Sequence, residues 1–363
     1  MSLKSNDGYY YGLDLVRFFS ALIVAIFHLT WKTEETEIFA HFGWIGVQIF
    51  FVLSGFVIAN SANNTTVVRF IRSRFLRLYP AAMVCAVISC IIVTQSSGFE
   101  YSQFIRSFFL LPSGPYLATA YWTLPIELSF YTLIAFLMFS FNIKSIKLIA
   151  PYLTITSSIY ILFYSLHTWH ILNLPYLEFG YGIKNTTLLR HGVFFSIGIY
   201  FWLSSVGELE RKDIKYIVLS LIAGSLEVAS RGGEIFQKIN SLELSILTGI
   251  SIPILIFYVM CLLMFISIKS SFRIPLNKMT GNILRTLGLT TYPFYLLHET
   301  VGNRVKFILI NHFEINNLAS AFFGLTSALM VSIIIAIIIE PIFRGFIVNI
   351  LNRTNTLASK YIR

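Results

Sequence analysis

Apolar runs of roughly 18 residues or more recur along this 363-residue chain, and no other feature constrains its fold as tightly. In hydrocarbon every backbone N–H and C=O must find its partner inside the structure, so runs of this length and spacing must form helices. Composition agrees: 12% of residues are charged, about half the share of an ordinary soluble domain. We read ten spans, near 12–31, 43–60, 79–95, 121–142, 148–166, 189–206, 215–230, 243–268, 286–309 and 318–341. The expected fold class is all-α, a polytopic transmembrane helix bundle forming a single domain over 1–363, with a short tail from about 342. The N-terminus lacks a basic stretch and a small-residue cleavage site, so the first span reads as retained. Between the third and fourth spans, FIRSFFLLP suits a re-entrant piece.

Basic residues set the expected orientation. Most Lys and Arg fall in 61–78, 143–147, 207–214, 269–285 and the tail, whereas 31–42 reads WKTEETEIFAHF. The positive-inside rule then puts both termini in the cytoplasm. The net charge of +10 follows from the same bias, so nucleic acid is not an expected partner. Cys85, Cys90 and Cys261 all lie within predicted spans, which gives neither a disulfide framework nor a metal-ligand spacing, and no metal is expected.

Ionisable side chains inside the spans point to function, because charge at membrane depth is costly and is normally retained for a purpose. Arg17 and His28 share the first span, 11 residues or about 16 Å apart along a helix. Arg17 sits toward the cytoplasm and His28 toward the outside. Asp14 is placed to pair with Arg17 at i, i+3. Arg69, Arg72, Arg74 and Arg77 crowd the basic loop VVRFIRSRFLRLYP before the third span; guanidinium is the fork-shaped binder of phosphate. Glu127 in YWTLPIELSFY lies in the outer third of the fourth span, with Tyr131 one turn on. Tyr292, Tyr295, His298 and Glu299 cluster in TYPFYLLHETV, beside Pro293, which is expected to kink the ninth span. Arginines thus gather on the cytoplasmic side and suit phosphates. His28, Glu127 and His298 gather toward the outside and suit proton handling.

The order and spacing of these motifs resemble the acyltransferase 3 family of integral membrane acyltransferases. The resemblance rests on Arg17 and His28, IGVQIFFVLSGFVI, RSRFLRLYP, YWTLPIELSFY, YPFYLLH and the closing Glu340–Pro341. One departure is Gln48, where many relatives carry an acid. The resemblance implies a stand-alone O-acetyltransferase of the bacterial inner membrane. Its donor would be cytoplasmic acetyl-CoA and its acceptor a hydroxyl of a cell-surface or lipid-linked carbohydrate, such as O-antigen or exopolysaccharide. Arg17, Arg72, Arg74 and Arg77 would hold the donor. His28 would be the general base, Glu127 would orient it or bind the acceptor, and Tyr131 or His298 would steady the oxyanion. Membrane lipids surround such a protein, and its oligomeric state stays open. The alternative reading is a proton-coupled transporter or exporter, with the buried charges as its relay.

Overall fold

The computed structural model describes residues 4–5, 8–31, 41–141, 146–174, 186–236, 246–269 and 277–361. The acidic stretch 32–40 and parts of two basic loops, 142–145 and 270–276, lie outside the described residues. A short antiparallel pair, β1 (Lys4–Ser5) with β2 (Gly8–Tyr9), precedes an otherwise helical chain. The helices are α1 (Tyr11–Thr30), α2 (Gly46–Ala62), α3 (Val67–Ser97), α4 (Tyr101–Phe108), α5 (Thr123–Phe141), α6 (Ile146–Thr168), α7 (Gly192–Ser205), α8 (Ile214–Phe236), α9 (Ile246–Ile268), α10 (Lys278–Phe313), α11 (Asn317–Ile334) and α12 (Glu340–Tyr361). Single 3-10 turns at Gly43–Ile45 and Thr119–Trp122 lead into α2 and α5.

Each of the ten predicted spans falls on one of these helices. Among the described residues, seven helices are long and apolar enough to cross a membrane by length and composition. The short helix α4 occupies the stretch read as re-entrant.

The structure differs from the sequence reading in two places. The basic segment is not a loop: Thr66 caps α3, its side chain accepting from the Arg69 N–H, and the helix runs from Val67 through the arginines. At the chain's other end, helix continues past Pro341 into α12, where only a tail was expected. A π turn at Ile335–Ile339 widens the helix just ahead of Pro341. A proline lacks the N–H that would bond back one turn and its ring crowds that carbonyl, and a wide turn relieves both problems. Helix α10 carries Pro293 in its interior.

The bundle core is aromatic and closely packed. Phe130 meets Phe195 at 4.4 Å between ring centres, and Phe194 meets Phe257 at 5.6 Å. Helices α2 and α7 touch backbone to backbone through Gly55 and Gly198. A Cβ on Gly198 would lie 2.1 Å from the Val52 carbonyl oxygen. Small residues at such crossings replace the hydrophobic drive that lipid does not supply. Many large apolar side chains point outward, Phe139 at 82% exposure among them, as a lipid-facing surface requires. Helix α10 packs against α1, α3 and α11, and carries one wall of both cavities described next.

Candidate active site

Arg17 and His28 project from nearly one face of α1, since 11 residues turn the helix through about 1100°, or three turns and 20°. Each opens onto its own cavity. The first is a cleft taking in about 1080 Å³ of space between α1, α2, α3, α5 and α10. Arg17 Nη1 donates to Asp14 Oδ1 at 3.0 Å, and the Tyr9 hydroxyl donates to Asp14 Oδ2 at 2.6 Å. Burial and the neighbouring Asp14 carboxylate push the Tyr9 phenol above its ordinary range. Gly288 of α10 lets that helix come close to this pair: a Cβ there would stand 2.3 Å from the Asp14 carboxyl carbon. Arg74 is 3% exposed, with its guanidinium 5.8 Å from the Tyr131 ring centre, and Arg77 lies 5.9 Å from that of Tyr292. Glu127 Oε1 accepts from the Tyr131 hydroxyl at 2.6 Å and from the Ser54 hydroxyl at 3.1 Å. Three guanidinium groups line this cleft against two carboxylates, so its balance favours an anion.

Arg72 stands apart from this cleft. Two residues turn a helix through about 200°, so Arg72 and Arg74 leave α3 on opposite sides, while Arg77 returns to within about 60° of Arg74. Arg72 instead donates to Asn352 Oδ1 of α12 at 2.7 Å on the exposed surface. Glu340 closes the last predicted span. It is buried at the start of α12 and makes no ion pair within 4.0 Å among the described residues.

The second cavity takes in about 880 Å³ and is lined by His28, Trp31, Thr119, Glu299, Asn303 and Lys306, among others. His28 Nδ1 lies 3.7 Å from Glu299 Oε1. The carboxylate is held rigidly. Its Oε2 accepts from the Thr119 N–H at 2.9 Å, and its Oε1 accepts from the Thr119 hydroxyl at 2.5 Å and the Ala120 N–H at 3.1 Å. Lys306 donates to the Leu29 carbonyl at 2.8 Å, tying α10 to the end of α1 beside His28. His298 is fully buried, its ring centre 5.2 Å from that of His28. Its Nδ1 lies 2.8 Å from the Tyr295 carbonyl oxygen, which can only accept, so Nδ1 carries the proton. Its Nε2 has no hydrogen-bond partner among the described residues. In the neutral ring that atom holds a lone pair, so His298 is equipped to take a proton rather than to donate to an oxyanion, the role read for it from sequence. The ligand atoms of His28, His298 and Glu299 lie within 4.8 Å of one another, a spacing open to a metal ion. Glu299 Oε1 already accepts two hydrogen bonds, which favours a carboxylate–histidine pair.

The predicted residues therefore separate into two groups. His28 and His298 come together as expected. Glu127 and Tyr131 join the arginine cleft instead, and Glu299 takes the place beside His28 that was assigned to Glu127. The sequence signal for Glu299 was its adjacency to His298. The two sites are close: the cleft ends at Thr123 and Tyr295, whose hydroxyls meet at 3.2 Å, and the second cavity begins at Thr119 and Glu299. Tyr295 and Glu299 are four residues apart on α10, so along that helix the dividing wall is about one turn, or 6 Å, thick.

A polar network joins α2, α8 and the residue pair before α7. Gln48 Nε2 donates to Glu227 Oε2 at 3.2 Å, and Arg190 Nε donates to Glu227 Oε1 at 2.9 Å. An acid at position 48 would confront the Glu227 carboxylate, so glutamine suits this neighbour.

Comparison with known proteins gives one match: a family model described as an acyltransferase domain, Acyl_transf_3, covers residues 10–337. No curated protein and no solved structure matches the chain.

Proposed function

The chain belongs to this acyltransferase family and is an integral membrane acyltransferase, and on that premise we propose that it moves an acetyl group from acetyl-CoA to a carbohydrate hydroxyl. The observation that carries the reading is the pair of cavities one helical turn apart, an anion-favouring cleft on one side and a histidine–carboxylate pair on the other. Arg17, Arg74 and Arg77 would take the donor's phosphates, with guanidinium forks matched to phosphate oxygens. The thin pantetheine arm would follow α10 from Gly288 to Tyr295 and bring the thioester to the Thr123–Tyr295 wall. The acceptor hydroxyl would enter beside His28.

In the reaction the hydroxyl oxygen attacks the thioester carbonyl carbon, the C–S bond breaks and CoA leaves as the thiol. With Nδ1 of His28 turned toward Glu299, Nε2 is the atom left to receive the hydroxyl proton. Glu299 stabilises the imidazolium that forms, as the carboxylate does in a Ser-His-Asp triad. His298, with its lone pair at Nε2, is a nearby second station for that proton. We read the arginine side as cytoplasmic, the histidine side as external, the membrane as the bacterial inner membrane, and the acceptor as a cell-surface or lipid-linked glycan of the O-antigen or exopolysaccharide kind.

The test is His28→Ala, checked for folding and for acetyl-CoA binding, with labelled acetyl transfer to surface polysaccharide as the assay. Transfer should fall by at least about 100-fold, the usual worth of a general base. Unchanged transfer would overturn the assignment. Substrate flux into proteoliposomes without acetyl-CoA consumption would support the transporter instead.

A further inference from the structure

Arg231 lies near the end of α8, partly exposed, on the same side of the bundle as His28. Its guanidinium is 5.4 Å from the Trp44 ring centre and 5.5 Å from that of Trp122. Among the described residues it makes no hydrogen bond and no ion pair, only these two ring contacts. The described carboxylates nearest in the chain or across the bundle have other partners. Glu227 is taken by Arg190 and Gln48, Glu234 by the Tyr164 hydroxyl, and Glu299 by Thr119 and Ala120. Among the described residues Arg231 is thus a cation held by aromatic rings, with no acceptor on its N–H donors.

The two rings belong to turns that adjoin residues of the His28 cavity, Trp122 to the turn that begins at Thr119 and Trp44 to the turn packed on Phe27. Trp44 follows Gly43, where a Cβ would meet the Phe27 Cβ at 2.8 Å, so this turn is pressed against α1 one residue before His28. Trp122 sits between Ala120, which donates to Glu299, and Thr123, which meets Tyr295. Trp44 is buried and backs the guanidinium, while Trp122 is partly exposed, with Phe51 and His191 packed about its ring.

Resting on the reading of the His28 cavity as the acceptor end, we propose that Arg231, braced by Trp44 and Trp122, is a specificity-determining residue that recognises an anionic group on the acceptor glycan. The fork accepts a carboxylate or a phosphate, the acidic groups that glycans carry. An anion seated on Arg231 would anchor the acceptor while a hydroxyl elsewhere on it reaches His28.

The experiment uses the full chain in lipid nanodiscs without donor. Methyl glucuronoside, glucose 1-phosphate and methyl glucoside are titrated in turn, with saturation-transfer NMR as the readout. At least one anionic sugar should bind about 10-fold or more tightly than the neutral one, the usual worth of a charge-assisted hydrogen bond. Which anion binds better tells carboxylate from phosphate. Arg231→Gln should abolish the preference while leaving acetyl-CoA affinity and Tm unchanged, and Arg231→Lys should retain part of it. Equal binding of all three sugars, no saturable binding of either anion, or a preference that survives in Arg231→Gln would overturn the proposal. His28→Ala separates the two readings. Loss of transfer with the anion preference intact supports both. Retained transfer with the preference intact removes the His28 assignment but leaves Arg231 as an anion site.

Discussion

Replacing Glu299 with glutamine removes one charge from beside His28 while almost keeping the side chain's shape. His28 Nδ1 and Glu299 Oε1 are 3.7 Å apart, with the side chains 26% and 12% exposed. At an effective dielectric near 20, two unit charges at that distance interact by about 4.5 kcal/mol. Water reaching the partly exposed imidazole lowers this, so about 2–4 kcal/mol is the working range. The interaction exists only once His28 has taken the proton, so its loss falls on the transition state, and the rate should drop by about 30- to 1000-fold. The assay is labelled acetyl transfer by purified protein, with kcat and the KM for acetyl-CoA read separately. The drop should be in kcat. Donor KM should hold, because Glu299 borders only the second cavity. Glutamine also turns an NH2 group toward one of the donors of Thr119 or Ala120, which could loosen the turn Thr119–Trp122. A double-mutant cycle separates that effect: if Glu299 acts through His28, adding Glu299→Gln to His28→Ala costs little more activity. A folded Glu299→Gln protein that transfers within about threefold of the wild-type rate would refute the pairing.

Two further outcomes follow from the geometry. Arg74→Ala should weaken acetyl-CoA binding by about 10-fold or more, as loss of a charged phosphate contact does, while Arg72→Ala should change it by less than about threefold; calorimetric titration with CoA distinguishes them. Gly198→Val should lower the Tm sharply or prevent folding, because the new side chain meets the Val52 carbonyl oxygen at 2.1 Å and the Phe56 nitrogen at 2.6 Å, an overlap beyond the 1–3 kcal/mol of ordinary overpacking; a melt in detergent would show it.

The comparison of sequence with structure turns on particular residues. That Arg17 and His28 share a face, and that Arg74 and Arg77 do, follows from helical period alone, and the structure agrees in both cases. The same period separates Arg72 from Arg74. Reading the four arginines as one group on a loop lost that distinction, because the cap at Thr66 that starts α3 ahead of them is a weak local signal. Glu127 was placed with His28 on depth alone. The structure joins it to Ser54 and Tyr131 and gives Glu299 to His28, because which helices face each other depends on lateral packing.

The sequence by itself determined the helical class, where the long apolar helices lie and the two kinds of polar chemistry. Hydrophobic period and length carry all of these, since they are properties of one helix in one solvent. Tertiary structure alone decided that Glu299 belongs to His28, that a wall about one turn thick divides the two cavities, and that Trp44, Trp122 and Arg231 meet across the bundle. Those pairings arise where helices interdigitate, at contacts such as Gly55 against Phe195 and Gly198 against Val52. Residues so far apart in the chain carry no local pattern that would announce their meeting.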